Sequence, residues 1–363
     1  MSAPAISGDR KIPVITEDLL LGDTARWRRF GEVVPAGQSV KADGTPDYGL
    51  FGPGSVTWEL MLHPATIVFE TAAQGGIQLL YKPITAGIRD ADPISRKARA
   101  GRFTMFDFFE RLQRNSGMHA PMWLGDTATA TNMATHLHRI HGHVQGPVID
   151  PEDPSLGGYA ADQPRDAMWA AITELHGILG IYEKLAWHGD QPPQPLTDAQ
   201  RDQYVWEMGT YLRLVGADES EIPHNMADLD ALYGKYWPYF GHADSVLVDL
   251  ETGVDMFAQY HAVGQQNWHP SHAVVVEALN EVYQQWVEVM DAILPANLQA
   301  AAGRSPEKIA ASAEIVRERE ADIRAFQSPE NEARIMRLLW GPDGVDLIHN
   351  ARRLHQEAVA ERA

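Results

Sequence analysis

Four histidines fall within eight positions of the segment Thr135-His136-Leu137-His138-Arg139-Ile140-His141-Gly142-His143. Imidazole is the commonest metal ligand and the proximal ligand of oxygen-handling haems. On a helix, successive side chains turn by ~100°. With Met133 at the centre of the apolar stripe, His141 lies about 80° to one side, His136 and His143 lie about 60° and 80° to the other, and His138 points mostly outward. His138 and His141 are three apart, no pair here is four apart, and the chain has no H-E-x-x-H. One edge-placed histidine acting as a single axial ligand therefore fits better than a two-histidine zinc site. The plain alternative is a set of solvated boundary histidines on an amphipathic helix.

A second constellation is Arg111-Leu112-Gln113-Arg114-Asn115, followed by His119. Positions 111, 115 and 119 run along one slowly drifting helix face, with Arg114 beside it. Cations and an amide there could hold a propionate or polarise bound oxygen, and His119 could donate a proton. Ordinary surface arginines pairing with Asp107 or Glu110 are the alternative. His63-Pro64 marks a helix start inside an apolar segment, with His63 either a hydrogen-bonded buried residue or a pocket residue. Glu221 to His224 spells half of a di-iron signature, but it contains Pro223 and has no second copy. His269-Pro270-Ser271-His272 reads as a loop and helix cap, and Trp169, Trp206, Trp237 and Trp286 as core residues. There is no Walker A loop, no strand-bounded G-x-G-x-x-G and no G-x-S-x-G.

These residues need helices to place them. Thr104 is a plausible cap for a helix from Phe103 to Met118, and Asp126 for the next, where Ala130, Met133, Leu137, Ile140 and Val144 form a core stripe. Met168 to Leu185 reads as a buried helix with Trp169, Ile172, Leu175, Leu179 and Tyr182 on one side. Thr197 caps Asp198 to Val215, which Gly216 stops. Ala227–Tyr236, Val254–Val263 and His272–Ile293 are further helix candidates, separated from the rest by Pro/Gly-rich loops. Alternating strand patterns are scarce, which predicts an all-α fold. The division expected is a disordered lead-in over 1–14, one large helical domain over 15–295, and a charged helical C-terminal extension over 296–363. In that extension Pro306–Phe326 and Pro329–Trp340 are amphipathic and poor in aromatics.

The chain has 363 residues, 44% of them apolar, enough for a deep core. Its formal charge is −19, and protonating all 15 histidines would leave it negative. Such a surface repels phosphate, which argues against nucleic acid as the partner. There is no cysteine, which excludes disulfides, thiolate nucleophiles, Cys-based zinc sites and iron–sulfur clusters. No apolar run approaches the ~18 residues of a spanning helix, and no signal sequence is visible. A cytoplasmic protein without stable membrane insertion is the expectation.

In order, His63-Pro64, Arg111-Leu-Gln-Arg-Asn115, Gly125-Asp126, Arg139-Ile-His141-Gly-His-Val144-Gln-Gly146, Trp169 with Tyr182-Glu183, Pro195-Leu-Thr-Asp-Ala-Gln200 and Leu212-Arg-Leu-Val-Gly216 resemble the MpaB-type oxygenase family, which includes latex clearing protein (rubber oxygenase). The resemblance runs over roughly residues 55–240. It implies an all-α fold enclosing one haem b, and an oxygenase that uses O₂ on a small or medium-sized hydrophobic, often isoprenoid, substrate. By the same resemblance His141 is the proximal iron ligand. Arg111, Arg114 and Asn115 match the family's arginine, lysine-or-arginine and threonine on the distal side, where the two arginines could also bind the cofactor. Three departures stand out. Asn115 replaces threonine, Ala171 replaces the histidine of the family's W-x-H-A-T helix, and His138 occupies the place of the arginine in R-x-x-H-x-x-V. A haem carrier or sensor without turnover, and a cofactor-free helical interaction protein, are the alternatives.

Overall fold

The computed structural model describes residues 14–21 and 32–362; the lead-in expected over 1–14 lies, up to residue 13, outside the described residues. Among the described residues the fold is all-α, and its strands are two short antiparallel pairs, β1 (Ser39–Val40) with β2 (Pro46–Asp47) and β3 (Gln145–Gly146) with β4 (Tyr159–Ala160).

Local chemistry sets the helix starts. Helix α1 (Val56–Met61) is capped by Ser55. Helix α2 (Pro64–Gln78) starts at His63, whose ring accepts from the Ala65 N–H while Pro64, with no N–H to leave unsatisfied, takes the first turn. After α3 (Lys82–Ala91), Asp92 caps α4 (Pro93–Arg99). Thr104 and Asp107 form a reciprocal capping box for α5 (Met105–Leu124), and Asp126 caps α6 (Thr127–His141). The buried helix is α7 (Pro164–Leu185); α8 (Asp198–Leu214) has a second capping box, Thr197 with Gln200. Gly216 follows α8 at φ +90°, a conformation that costs glycine little. Then come α9 (Met226–Tyr236), α10 (Met256–Asn267) and α11 (His272–Ile293).

Helices α2 and α7 form the central pair, and α5, α8 and α11 surround them. Trp58, Trp169, Leu60, Ile172, Leu175, Tyr204 and Met208 are fully buried in one continuous core. Polar groups cross-tie it: the Trp58 indole donates to the Trp123 carbonyl, and Glu207 accepts from Thr57. No helix among the described residues is long and apolar enough to cross a membrane.

The tail is built into this core. Pro306–Phe326 is broken into three short helices, Pro306–Ala310, Ser312–Glu318 and Glu320–Phe326. Beyond them α12 (Pro329–Trp340) packs on α2 and α5, and α13 (Pro342–Ala360) packs on α5. Met336, Trp340, Leu347 and Ile348 join the main core, and Arg352 donates to the Leu62 carbonyl at 2.8 Å.

Candidate functional site

The α5–α6 hairpin explains how residues 111 and 141 meet. Gly125 makes the turn, because a Cβ there would stand 2.6 Å from both the Pro121 carbonyl oxygen and the Thr129 methyl. From that turn, 13 residues back along α5 and about as many forward along α6 each cover ~20 Å. His141 therefore returns to the level of Arg111. Burial first, then the nearby His138 and the Arg111 charge, push its imidazole down to about 4. The ring is neutral at pH 7, the form that ligates a metal.

The residues around it differ in part from expectation. His138 does not point outward: its ring reaches the Leu214 carbonyl at 3.4 Å and lies against Gly216. The α6 stripe is buried only at Ala130 and Met133. Ile140 is 43% exposed, because α6 ends at His141 and Val144 leaves the helix to pack on Gly87. Arg111 pairs with Asp92 at 2.6 Å, not with Asp107 or Glu110; Asp107 caps its own helix and pairs with Lys97. Arg114, half-buried, has no ion pair among the described residues. His63 is a helix cap about 18 Å along α2 from Gly75, and burial holds its ring down at about 4.

Helix α2 lies antiparallel to α5. Three contacts set the register: Glu70 to His119 (3.3 Å), Thr71 to Ser116 (2.9 Å) and Gln74 to Asn115 (3.3 Å). Gly75 and Gly76 follow on α2, turned about 95° and about 165° away from the side that Glu70, Thr71 and Gln74 present to α5. Both are half-buried, Ala72 and Leu79 beside them are exposed, and a Cβ built on either glycine meets no atom within 4 Å. Interior helix glycines cost roughly 0.5–1 kcal/mol relative to alanine, a cost that packing does not explain at these two positions.

The α2–α5 contact is closed and charged. His119 is fully buried, stacked on Trp123 at 4.4 Å, and lies between Glu70 and Glu174 at 3.3 and 3.4 Å. Burial alone would lower its imidazole, but Glu174 and then Glu70 raise it to about 10. It holds its proton at neutral pH, so it is a fixed cation and a poor proton donor, contrary to the expected role. Glu174 also accepts from Gln74 (3.0 Å) and Tyr211 (2.9 Å). Sequence reasoning missed Glu70, Gln74, Glu174 and Tyr211 because they come from three other helices. The available signal was a carboxylate set inside an otherwise buried helix stripe, as Glu174 is in α7. Ala171 is buried in the core, and His176 on the same helix is hydrogen-bonded to the Tyr233 hydroxyl at 2.9 Å.

The donor set suits a porphyrin-held iron better than a bare ion. Among the described residues no group of three His, Asp or Glu side chains forms a metal cage. A porphyrin needs one neutral imidazole and cations for its carboxylates, and His141 with Arg111 and Arg114 would supply them. A family model described as "ER-bound oxygenase mpaB/B'/Rubber oxygenase, catalytic domain" matches residues 58–328, which takes in every one of these positions. No curated protein and no solved structure matches the chain.

Proposed function

The chain belongs to the mpaB/rubber oxygenase catalytic-domain family, and on that premise we propose a haem b-dependent oxygenase that uses O₂ on a small or medium-sized hydrophobic substrate. The observation that carries this reading is the α5–α6 hairpin, which sets His141, held neutral, level with Arg111.

In this reading the His141 ring ligates the iron, and its contact with the Ala161 backbone fixes the orientation of the ring. Arg114 is free to hold a propionate. Arg111, held by Asp92 near His141, would stabilise negative charge there. Asn115 lines the distal side with an amide where the family has a hydroxyl. When bound, the haem supplies the oxygen and one-electron chemistry; the protein supplies position, electrostatics and exclusion of water.

The test is the absorption spectrum of the purified chain reconstituted with hemin. A Soret band that shifts on reduction and with carbon monoxide, and that His141→Ala removes, supports the reading. Haem uptake unaffected by His141→Ala overturns the ligand assignment. Haem binding without O₂ consumption across hydrophobic substrates would instead select a carrier or sensor.

A further inference from the structure

We propose that His119 is a positioning residue: acting through Glu174 and Gln74, it locks the side-chain amide of Asn115 in one orientation at the distal wall. The inference rests on the reading above only in assigning Asn115 to that wall.

Three groups converge on the Glu174 carboxyl: Gln74 Nε2 donates to Oε1 at 3.0 Å, the Tyr211 hydroxyl donates to Oε2 at 2.9 Å, and His119 Nε2 stands 3.4 Å from Oε1 as its ion-pair partner. An acceptor-only carboxylate satisfies all three, whereas a neutral amide in its place could turn a donor toward Gln74. Because Glu174 accepts, Gln74 must present its NH₂ to it. The other end of the same amide, Gln74 Oε1, must then face Asn115 and accept from Asn115 Nδ2 at 3.3 Å. That leaves the Asn115 carbonyl oxygen and its second N–H turned away from Gln74. If Glu174 ceased to be a pure acceptor, Gln74 and Asn115 could flip together, and the wall would exchange a carbonyl for an NH₂.

His119 sits where its charge controls this. Glu174 faces it from α7, Glu70 from α2 and Trp123 from its own helix, and Tyr211 of α8 closes the far side of Glu174. Glu70 is itself braced by Thr71, which contacts Ser116. Glu70, His119 and Glu174 are each more than nine-tenths buried, so water cannot replace the imidazolium as counter-charge. The upward shift of the His119 imidazole agrees with this placement.

The experiment uses the full chain, isotopically labelled at histidine and asparagine side chains, without haem. In the wild type, both His119 ring nitrogens should remain protonated at pH 8, and the Asn115 NH₂ should give one shifted pair of signals. Glu174→Gln, His119→Gln and Gln74→Leu should each move that pair in the same way. In the haem-loaded protein, the stretching frequency of bound carbon monoxide should shift with His119→Gln and not shift further when Asn115→Leu is already present. An Asn115 pair unchanged in both Glu174→Gln and Gln74→Leu overturns the proposal. So does a carbon monoxide shift that His119→Gln still produces in the Asn115→Leu background. Should His119→Gln fail to fold, the other two substitutions decide. Because the amide signals need no haem, failure of the haem reading and failure of this inference are told apart.

Discussion

Helix α5 has two halves with opposite designs. From Ser116 to Leu124 every residue is buried, and the one charge there, His119, is held between two carboxylates and an indole face. From Phe108 to Asn115 the same helix keeps half-buried polar groups and leaves Arg114 without an ion pair among the described residues. Glu70, Thr71 and Gln74 of α2 tie down the first half, whereas in the second Arg111 reaches back to Asp92 and Gln113 to the Leu338 carbonyl. The closed half fixes the geometry of the open half, and the open half carries the groups suited to a ligand.

The comparison predicts where damage should fall. The largest effect on stability belongs to the closed half. His119→Leu leaves two buried carboxylates without their cation and should cost about 3–5 kcal/mol in urea denaturation. Arg114→Ala, in the open half, should change stability by less than about 0.5 kcal/mol while lowering haem uptake. If the two substitutions cost the same, the contrast between the halves is wrong. His141→Ala should do the reverse of His119→Leu: little change in fold, but haem affinity down by more than the about 10–100-fold typical of losing a group that merely supports a metal ligand, read by hemin titration.

A pH series sharpens the point. The His119 imidazole is raised above its ordinary value by Glu174 and Glu70 against the effect of burial. The folded chain therefore keeps a proton that the unfolded chain gives up near 6.5. The stabilisation from this group is fully present below 6.5 and is lost as pH rises toward about 10, with a slope of at most about 1.4 kcal/mol per pH unit. Unfolding free energies of wild type and His119→Gln between pH 6 and 10 should show that slope only in the wild type. Gly75→Ala should stabilise the haem-free chain by about 0.4–1 kcal/mol, since its Cβ meets nothing. Gly180→Ala, whose Cβ would stand 2.8 Å from the Ile293 carbonyl oxygen, should destabilise it; thermal melts compare the two directly.

Much of the framework was legible in the sequence because capping is local chemistry. Thr104, Asp126, Thr197 and Pro64 start their helices where their side chains say they should, and Gly216 follows the end of α8. Periodicity extended the α6 stripe too far, because it does not register that the helix stops at Gly142. The partner of Arg111 was not legible, since Asp92 belongs to another helix and the nearer Asp107 is occupied as a cap. The His119 site required three helices to meet, and no single stretch of sequence carries that information.

The way α12 and α13 are seated has a consequence for anyone trimming this chain. The family match stops at residue 328, but α12 lies against both α2 and α5, and Gln113 on α5 donates to the Leu338 carbonyl. A fragment cut at that boundary would strip the outer brace from both α2 and α5. Their apolar backs, once wet, would favour clumping over folding, so expression trials should keep the last 35 residues attached.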